Sequence, residues 1–150
     1  MASKYMQGVF VPKNPAKIVG PAKTIHIRSS WEFACFQAFD SNPGVLYWAS
    51  EAISIPYVNP LTNKTKSYIP DIFVIYVSND VQHAEIIEIK PLKETPAAFG
   101  GFTGKVDNKT QLVQAVNTAK WLAAIAYCRA RKWTFRILTE REIFAFKRKK

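Results

Sequence analysis

The sequence lacks any run of about 20 consecutive apolar residues, which is the length that a helix needs to cross a bilayer. A membrane span is therefore excluded. There is also no apolar signal core after the first lysine, so we expect no secretory leader. A chain of 150 residues is long enough for one domain that buries roughly 70% of its unfolded surface.

Cysteine is scarce, since only Cys35 and Cys128 occur, each inside a segment with a helical pattern. This predicts two reduced, buried thiols of a cytoplasmic protein rather than a disulfide framework. The sequence has no Cys/His group with zinc spacing and no glycine-rich phosphate loop of Walker type. It also has no nucleophilic serine or cysteine with a plausible histidine partner. These absences exclude a zinc module and covalent nucleophilic catalysis, and we expect no small-molecule cofactor.

Acidic residues are few and unevenly placed. The chain has 21 Lys and Arg against 11 Asp and Glu, which gives a net charge of +10. No acid precedes Glu32, none occurs from residue 108 to 139, and residues 147–150 are all basic. Three acid-poor blocks in one small domain predict a polyanion as partner, double-stranded DNA ahead of an acidic protein surface.

Proline and glycine mark the boundaries of the predicted organisation. Residues 1–27 contain three prolines and two glycines, which predicts an extended basic arm that either contacts DNA or inserts into a larger assembly. Residues 28–150 are predicted to form an α/β domain. Residues 91–106, also rich in proline and glycine, predict a mobile loop that is either a lid over the substrate or disordered.

Hydrophobic periodicity predicts the secondary structure of the domain. Strands are expected at residues 45–48, 51–58, 68–77, 82–90 and 133–138. Helices are expected at residues 30–40, at 108–131 and, briefly, after Thr139. The predicted core stripe of the long helix is Leu112, Val116, Ala119, Leu122, Ala123 and Ala126. The predicted fold is a mixed central β-sheet with one helix before it and a long helix after it.

One predicted hairpin brings acidic residues together. Asn79-Asp80 between two apolar runs predicts a two-residue turn, and counting outward places Asp71 opposite Glu88. Because side chains alternate along a strand, Glu88 and Lys90 share that face. Opposed carboxylates repel each other, and a hard cation between them reverses the effect. The pattern therefore predicts a Mg²⁺ site, in which Mn²⁺ can substitute, with Lys90 placed beside the ion to steer or activate one of its waters.

Two further acids have alternative interpretations. Ser29-x-x-Glu32 fits a capping box, in which Glu32 only reaches back to a backbone N–H. Alternatively, Glu32 reaches the metal as a third carboxylate. Glu51 is either another acid near the site or a charge at the end of a strand.

Three polar residues are predicted to contact DNA. Arg28 precedes the first helix and can hold a phosphate, or it is a solvated flanking residue. Gln114 and Lys120 lie on or near the polar side of the long helix and can approach phosphates, or they belong to a plain solvated face.

These residues carry a resemblance to a nuclease superfamily. Pro70-Asp71 followed by Glu88-Ile89-Lys90 resembles the PD-(D/E)xK pattern of restriction-endonuclease-like nucleases. The opening Arg28-Ser29-x-x-Glu32 is similar to that of the transposon nuclease TnsA and of the junction-resolving endonucleases of podophages. The resemblance implies a restriction-endonuclease-like core. It also implies catalytic roles for Glu32, Asp71, Glu88 and Lys90, with the three carboxylates as metal ligands.

Most of the chain also resembles a narrower family, the head completion proteins of T-even-type tailed phages. The motifs that carry this resemblance include Val11-Pro12-Lys13-Asn14, Trp48-x-Ser50-Glu51, Val116-Asn117-Thr118-x-Lys120-Trp121 and Phe135-Arg136-Ile137-Leu138-Thr139-Glu140. The resemblance implies a virion component of the head–neck region, present in the host cytoplasm during assembly. It implies portal and neck proteins as partners, and action after DNA packaging and before tail attachment.

Three functions are consistent with these observations. The first is a Mg²⁺-dependent DNA endonuclease that works at the end of the packaged genome. The second is a structural head–neck protein that docks on the portal and keeps the nuclease fold without turnover. The third is a passive binder of double-stranded DNA. This function leaves Asp71, an acidic residue inside an apolar segment, unexplained.

Overall fold

The computed structural model describes residues 8–20 and 24–143. Its strands are β1 (Gly8–Phe10), β2 (Ile25–Ile27), β3 (Val45–Ser50), β4 (Ile55–Val58), β5 (Thr65–Tyr68), β6 (Ile72–Ser78), β7 (Val81–Ile89) and β8 (Thr134–Leu138). Its two long helices are α1 (Ser30–Ser41) and α2 (Asn108–Arg131), and residues 140–143 begin another. The predicted α/β order, with a helix before the sheet and a long helix after it, is confirmed. No helix within the described ranges is long and apolar enough to cross a membrane.

The central sheet has the strand order β3-β6-β7-β8. Strand β6 runs antiparallel to β3 and β7, whereas β8 runs parallel to β7, so the sheet is mixed as predicted. The β6–β7 turn is the predicted one, because Asn79 and Asp80 both adopt positive φ, at 53° and 64°. That conformation belongs to a type I′ turn, whose twist matches the flanking strands.

The predicted strand at residues 68–77 is broken in the structure. Strand β5 ends at Tyr68 and pairs with β4, while β6 begins at Ile72 and belongs to the central sheet. Pro70 lies in the break, where it cannot donate a hydrogen bond to a sheet. Asp71 therefore lies at the entry to β6 rather than inside a long strand.

The two faces of the central sheet carry separate cores. On the α1 face, Phe36 stacks on Trp48 with ring centroids 5.2 Å apart, and both side chains are fully buried. On the α2 face, the fully buried Trp121 packs in one cluster with Ile86. Each core holds one of the cysteines, and both are buried free thiols, as predicted.

The described part of the N-terminal segment packs on the domain. Strand β1 pairs with β2, and Phe10 is only 7% exposed, in the same cluster as α1. The backbone N–H groups of Lys13 and Asn14 donate to the carboxylate of Asp40 on α1. Residues 8–20 and 24–27 thus differ from the predicted extended arm. The predicted domain boundary at residue 27 stays a prediction, and residues 1–7, 21–23 and the basic run 147–150 lie outside the described residues.

The predicted core stripe of α2 is displaced around the helix. The buried positions are Asn117, Trp121, Ala124 and Cys128. Val116, Ala119 and Ala123 of the predicted stripe pack against the core, whereas Leu112 and Leu122 are 52% and 57% exposed. Apolar residues occur on most sides of this helix, so their period alone does not select the buried face. The bulk of Trp121, which the stripe omitted, decides which face packs on the sheet.

This reassignment can be tested on two neighbouring residues of α2. Trp121→Ala is expected to destabilise the protein by about 3–5 kcal/mol, because it opens a cavity in the core. Leu122→Ala is expected to change the free energy of unfolding by no more than about 0.5 kcal/mol, because that side chain is largely in solvent. Urea unfolding followed by circular dichroism measures both, and equal losses would contradict the orientation of the helix.

Candidate active site

Asp71 and Glu88 come together at one end of the β6–β7 hairpin, on the face covered by α2. Ile72 pairs with Ile87, so the register carries Asp71 to the position opposite Glu88, as predicted. Glu88 is only 6% exposed, and Asp71 is partly buried. Burial, followed by the charge of Glu88, raises the pKa of Asp71 well above its ordinary value. Two like charges are thus held where water solvates them poorly.

Protein donors engage these carboxylates from several elements. Asp71 Oδ2 accepts a hydrogen bond from the backbone N–H of Ile89 at 2.7 Å. Glu88 Oε1 accepts a hydrogen bond from the hydroxyl of Tyr68, also at 2.7 Å, and Glu88 Oε2 lies 3.3 Å from Lys90 Nζ. Burial disfavours the charge on Lys90, but Glu88 and Asp71 outweigh it and raise its pKa. Lys90 is therefore held as an ammonium between two carboxylates.

Glu32 serves as a backbone cap and also lies near the pair. Ser29 caps α1 by accepting from the N–H of Glu32, and Glu32 Oε1 accepts from the N–H of Arg28 at 2.6 Å. The capping interpretation of Glu32 is confirmed. The backbone N–H that its carboxylate binds belongs to Arg28, one residue before the N-cap Ser29. Burial raises the pKa of Glu32, and its charge contributes to the raised pKa of Asp71. Its role as a third metal ligand stays a prediction.

The donor set at this site fits a magnesium ion held by few protein ligands. Among the described residues, no group of three or more His, Cys, Asp or Glu side chains is arranged to hold a metal ion. Mg²⁺ in proteins commonly takes only one or two carboxylates and fills its shell with water and substrate phosphate. Asp71 and Glu88 supply that number of hard oxygen ligands. Their mutual repulsion is what a divalent cation would relieve.

Glu51 and Arg28 form the rim of the site. The chain turns at Glu51, whose φ is 52°, and its backbone N–H donates to the carbonyl of Asp71 at 3.0 Å. The Glu51 carboxylate forms an ion pair with Arg28. Hydrogen bonding to Glu51 outweighs burial and raises the pKa of Arg28, with smaller contributions from the charges of Glu32 and Asp71. Glu51 thus directly follows the end of β3 and also lies near Asp71, so both interpretations of Glu51 agree with the structure. The contact of Arg28 with DNA stays a prediction.

Lys120 reaches the site from α2 across two tyrosines that sequence reasoning did not consider. Its Nζ lies 5.8 Å from the ring centroid of Tyr57 and 5.7 Å from that of Tyr68. Burial, followed by the positive charge of Lys90, lowers the pKa of Lys120. The two lysines therefore share one electrostatic environment. Tyr68 gave no signal in the sequence because its contacts join three elements that are distant along the chain.

Gln114 holds a loop in this structure. Its Nε2 donates to the carbonyl of Lys93 at 2.9 Å, and Asn117 Nδ2 donates to the carbonyl of Glu94 at 3.0 Å. This loop contains two short 3-10 turns, Leu92–Glu94 and Ala97–Phe99. The first part of the predicted mobile loop is thus tied to α2. Contact of Gln114 with DNA stays a prediction.

Comparison with known proteins identifies nuclease relatives of this chain. Residues 42–140 match the family described as TnsA-like endonuclease N terminal. The matched range contains Asp71, Glu88, Lys90 and Lys120, whereas Glu32 precedes it. The head completion nuclease of Enterobacteria phage T4 is 38% identical over 138 residues, which cover 89% of this chain and 90% of that protein.

The repulsion between Asp71 and Glu88 should be visible in the pH dependence of stability. The folded-state pKa of Asp71 lies above its ordinary value of 3.8, so the folded state binds a proton more tightly than the unfolded state. In metal-free buffer, stability should therefore fall as pH rises from about 4 to the raised pKa, and the loss is complete above it. Asp71→Asn should remove this loss and therefore stabilise the protein at pH 7.

Thermal unfolding in EDTA between pH 4 and pH 8 measures this effect. Asp107→Asn is the matched control, because Asp107 is an exposed cap of α2 and asparagine caps helices equally well. A destabilised Asp71→Asn variant at pH 7 would contradict the like-charge explanation.

Proposed function

Since the chain belongs to the TnsA-like endonuclease N-terminal family, we propose that it is a Mg²⁺-dependent DNA endonuclease of the PD-(D/E)xK type. The observation that carries the proposal is the placement of Lys90 beside the opposed carboxylates of Asp71 and Glu88. A passive DNA-binding protein would gain nothing from burying two like charges at the end of a hairpin.

The proposed ligands of the ion are Asp71 and Glu88, joined by Glu32 when its carboxylate releases the backbone N–H of Arg28. When bound, Mg²⁺ supplies Lewis-acid stabilisation of charge on the scissile phosphate and lowers the pKa of a water. Asp71 is oriented for this role by the N–H of Ile89, which holds one of its oxygens. The burial of Glu88 keeps bulk water from competing for its oxygens.

Lys90 is proposed to position the attacking water. The neighbouring carboxylates raise its pKa, so its ammonium can donate hydrogen bonds to that water. An ammonium at this place also stabilises the negative charge that develops on the phosphate oxygens. Hydrolysis by a positioned water requires no covalent intermediate with the protein.

Arg28, Gln114 and Lys120 are proposed to contact the DNA backbone. The net charge of +10 draws double-stranded DNA toward the domain independently of sequence. Arg28 stands at the rim beside Glu51, and Lys120 stands on the α2 side. These two cations would hold phosphates on opposite sides of the acidic pair.

The similarity to a head completion nuclease supports a place for this activity in phage assembly. We propose that the protein acts in the virion, at the end of the packaged genome and before tail attachment, next to portal and neck proteins. The alternative is a structural head–neck protein that keeps the fold without turnover. The observation that favours this alternative is that both oxygens of Glu88 already have protein partners, one in Tyr68 and the other in Lys90.

The proposal predicts metal-dependent cleavage of supercoiled plasmid. The intact protein should nick DNA with Mg²⁺ or Mn²⁺ and not with EDTA. Asp71→Ala and Lys90→Ala should each lower the cleavage rate by about 100-fold or more, because each removes a group that acts on the reacting phosphate. Gel electrophoresis of the plasmid measures the rates.

Lys64→Ala is the control, because Lys64 is exposed in the turn between β4 and β5 and should leave the rate unchanged. Absence of cleavage with every metal, together with retained DNA or portal binding, would reject the enzyme in favour of the structural role. Full activity of Asp71→Ala would reject the assigned site.

A further inference from the structure

Tyr68 is the one residue of β5 that is buried, at 4% exposure, and it touches two functional groups at once. Its hydroxyl donates to Glu88 Oε1 at 2.7 Å. The face of its ring lies 5.7 Å from Lys120 Nζ. The proposed reaction assigns it no role, although it links a carboxylate at the end of the central sheet to a cation on α2.

The hydroxyl of Tyr68 restricts the orientation of Glu88. A carboxylate at the end of a strand can rotate about its side-chain torsions, and a fixed donor on one oxygen selects one orientation. The other oxygen of Glu88 then points toward Lys90, which lies 3.3 Å away. Loss of a donor of this kind, which holds a residue that binds a metal, typically costs about 10- to 100-fold in metal affinity or activity.

The ring of Tyr68 restricts Lys120 together with the ring of Tyr57. The two tyrosines stand on paired strands, since Tyr57 belongs to β4 and Tyr68 to β5. Their faces attract the ammonium through the negative charge density of the aromatic rings. A lysine side chain normally samples many rotamers, and the two rings narrow the positions of this ammonium.

We propose that Tyr68 is a positioning residue of the active site, whose hydroxyl aligns Glu88 for the metal and whose ring, with Tyr57, aligns Lys120 for a DNA phosphate. This inference rests on the proposed nuclease function. The inference gives the two parts of the Tyr68 side chain different roles: the hydroxyl supports metal binding, and the ring supports DNA binding. Tyr57 contributes only its ring to Lys120.

The test compares Tyr68→Phe, which removes only the Tyr68 hydroxyl, with Tyr57→Leu, which removes the Tyr57 ring beside Lys120 and leaves Tyr68 intact. Tyr68→Phe should raise the Mg²⁺ concentration for half-maximal plasmid cleavage by about 10-fold. Its DNA affinity in EDTA should stay within about twofold of the wild type, because both rings remain. Tyr57→Leu should show the reverse pattern, with weaker DNA binding and an unchanged Mg²⁺ requirement.

Lys120→Met serves as the reference variant for the DNA-binding measurements. It should lower DNA affinity and reduce the slope of log affinity against log salt concentration by about 1, because one phosphate contact is lost. Tyr57→Leu should lower the affinity in the same direction by a smaller factor. Fluorescence anisotropy with a labelled duplex measures both variants.

A metal readout that does not require cleavage separates this inference from the proposed function. The rise in melting temperature on adding Mn²⁺ reports metal binding, and Tyr68→Phe should need about 10-fold more Mn²⁺ for the same rise. If the wild type binds Mn²⁺ without cutting DNA, the nuclease proposal fails while the positioning role is still measured.

Two results would overturn the inference. The first is a Tyr68→Phe variant with the wild-type requirement for both Mg²⁺ and Mn²⁺. The second is a Tyr57→Leu variant with wild-type DNA affinity. Parallel losses of melting temperature in both variants, without the crossed pattern, would show that the tyrosines only stabilise the fold.

Discussion

The burial of two like charges at one end of the β6–β7 hairpin is the constraint on which the candidate site depends. Asp71 and Glu88 face each other across the strands, so each carboxylate needs compensation from elsewhere. The compensation comes from the backbone of β7, from Lys90 and from Tyr68 on a separate hairpin. The elements around the sheet are therefore arranged to present donors and cations to this pair, and a divalent ion would complete the same arrangement.

The part of the site that lies within one hairpin could be predicted from the sequence. An Asn-Asp pair that tolerates positive φ fixes a two-residue turn, and the turn fixes the register of both strands. Strict alternation then places Glu88 and Lys90 on one face. Likewise, the capping box at Ser29 marked the start of α1. These inferences need only local geometry.

The rest could not be predicted because it depends on contacts between distant segments. Tyr68 and Glu88 are 20 residues apart, and Arg28 and Glu51 are 23 residues apart. Within the apolar run at residues 68–77, only Pro70 indicates that Tyr68 and the residues from Ile72 onward belong to different sheets. The core stripe of α2 was predicted only in part for a related reason, since several faces of this helix are apolar and tertiary packing selects among them.

The segment Leu92–Glu94, which follows Lys90 and Pro91, is held in place by hydrogen bonds within the domain. The N–H of Leu92 donates to Glu140, and the carbonyls of Lys93 and Glu94 accept from the side-chain amides of Gln114 and Asn117. Three consecutive residues after Lys90-Pro91 are thus fastened to elements that lie later in the chain. Their conformational entropy is lost during folding and not during association, so the backbone beside Lys90 is preorganised for whatever binds there.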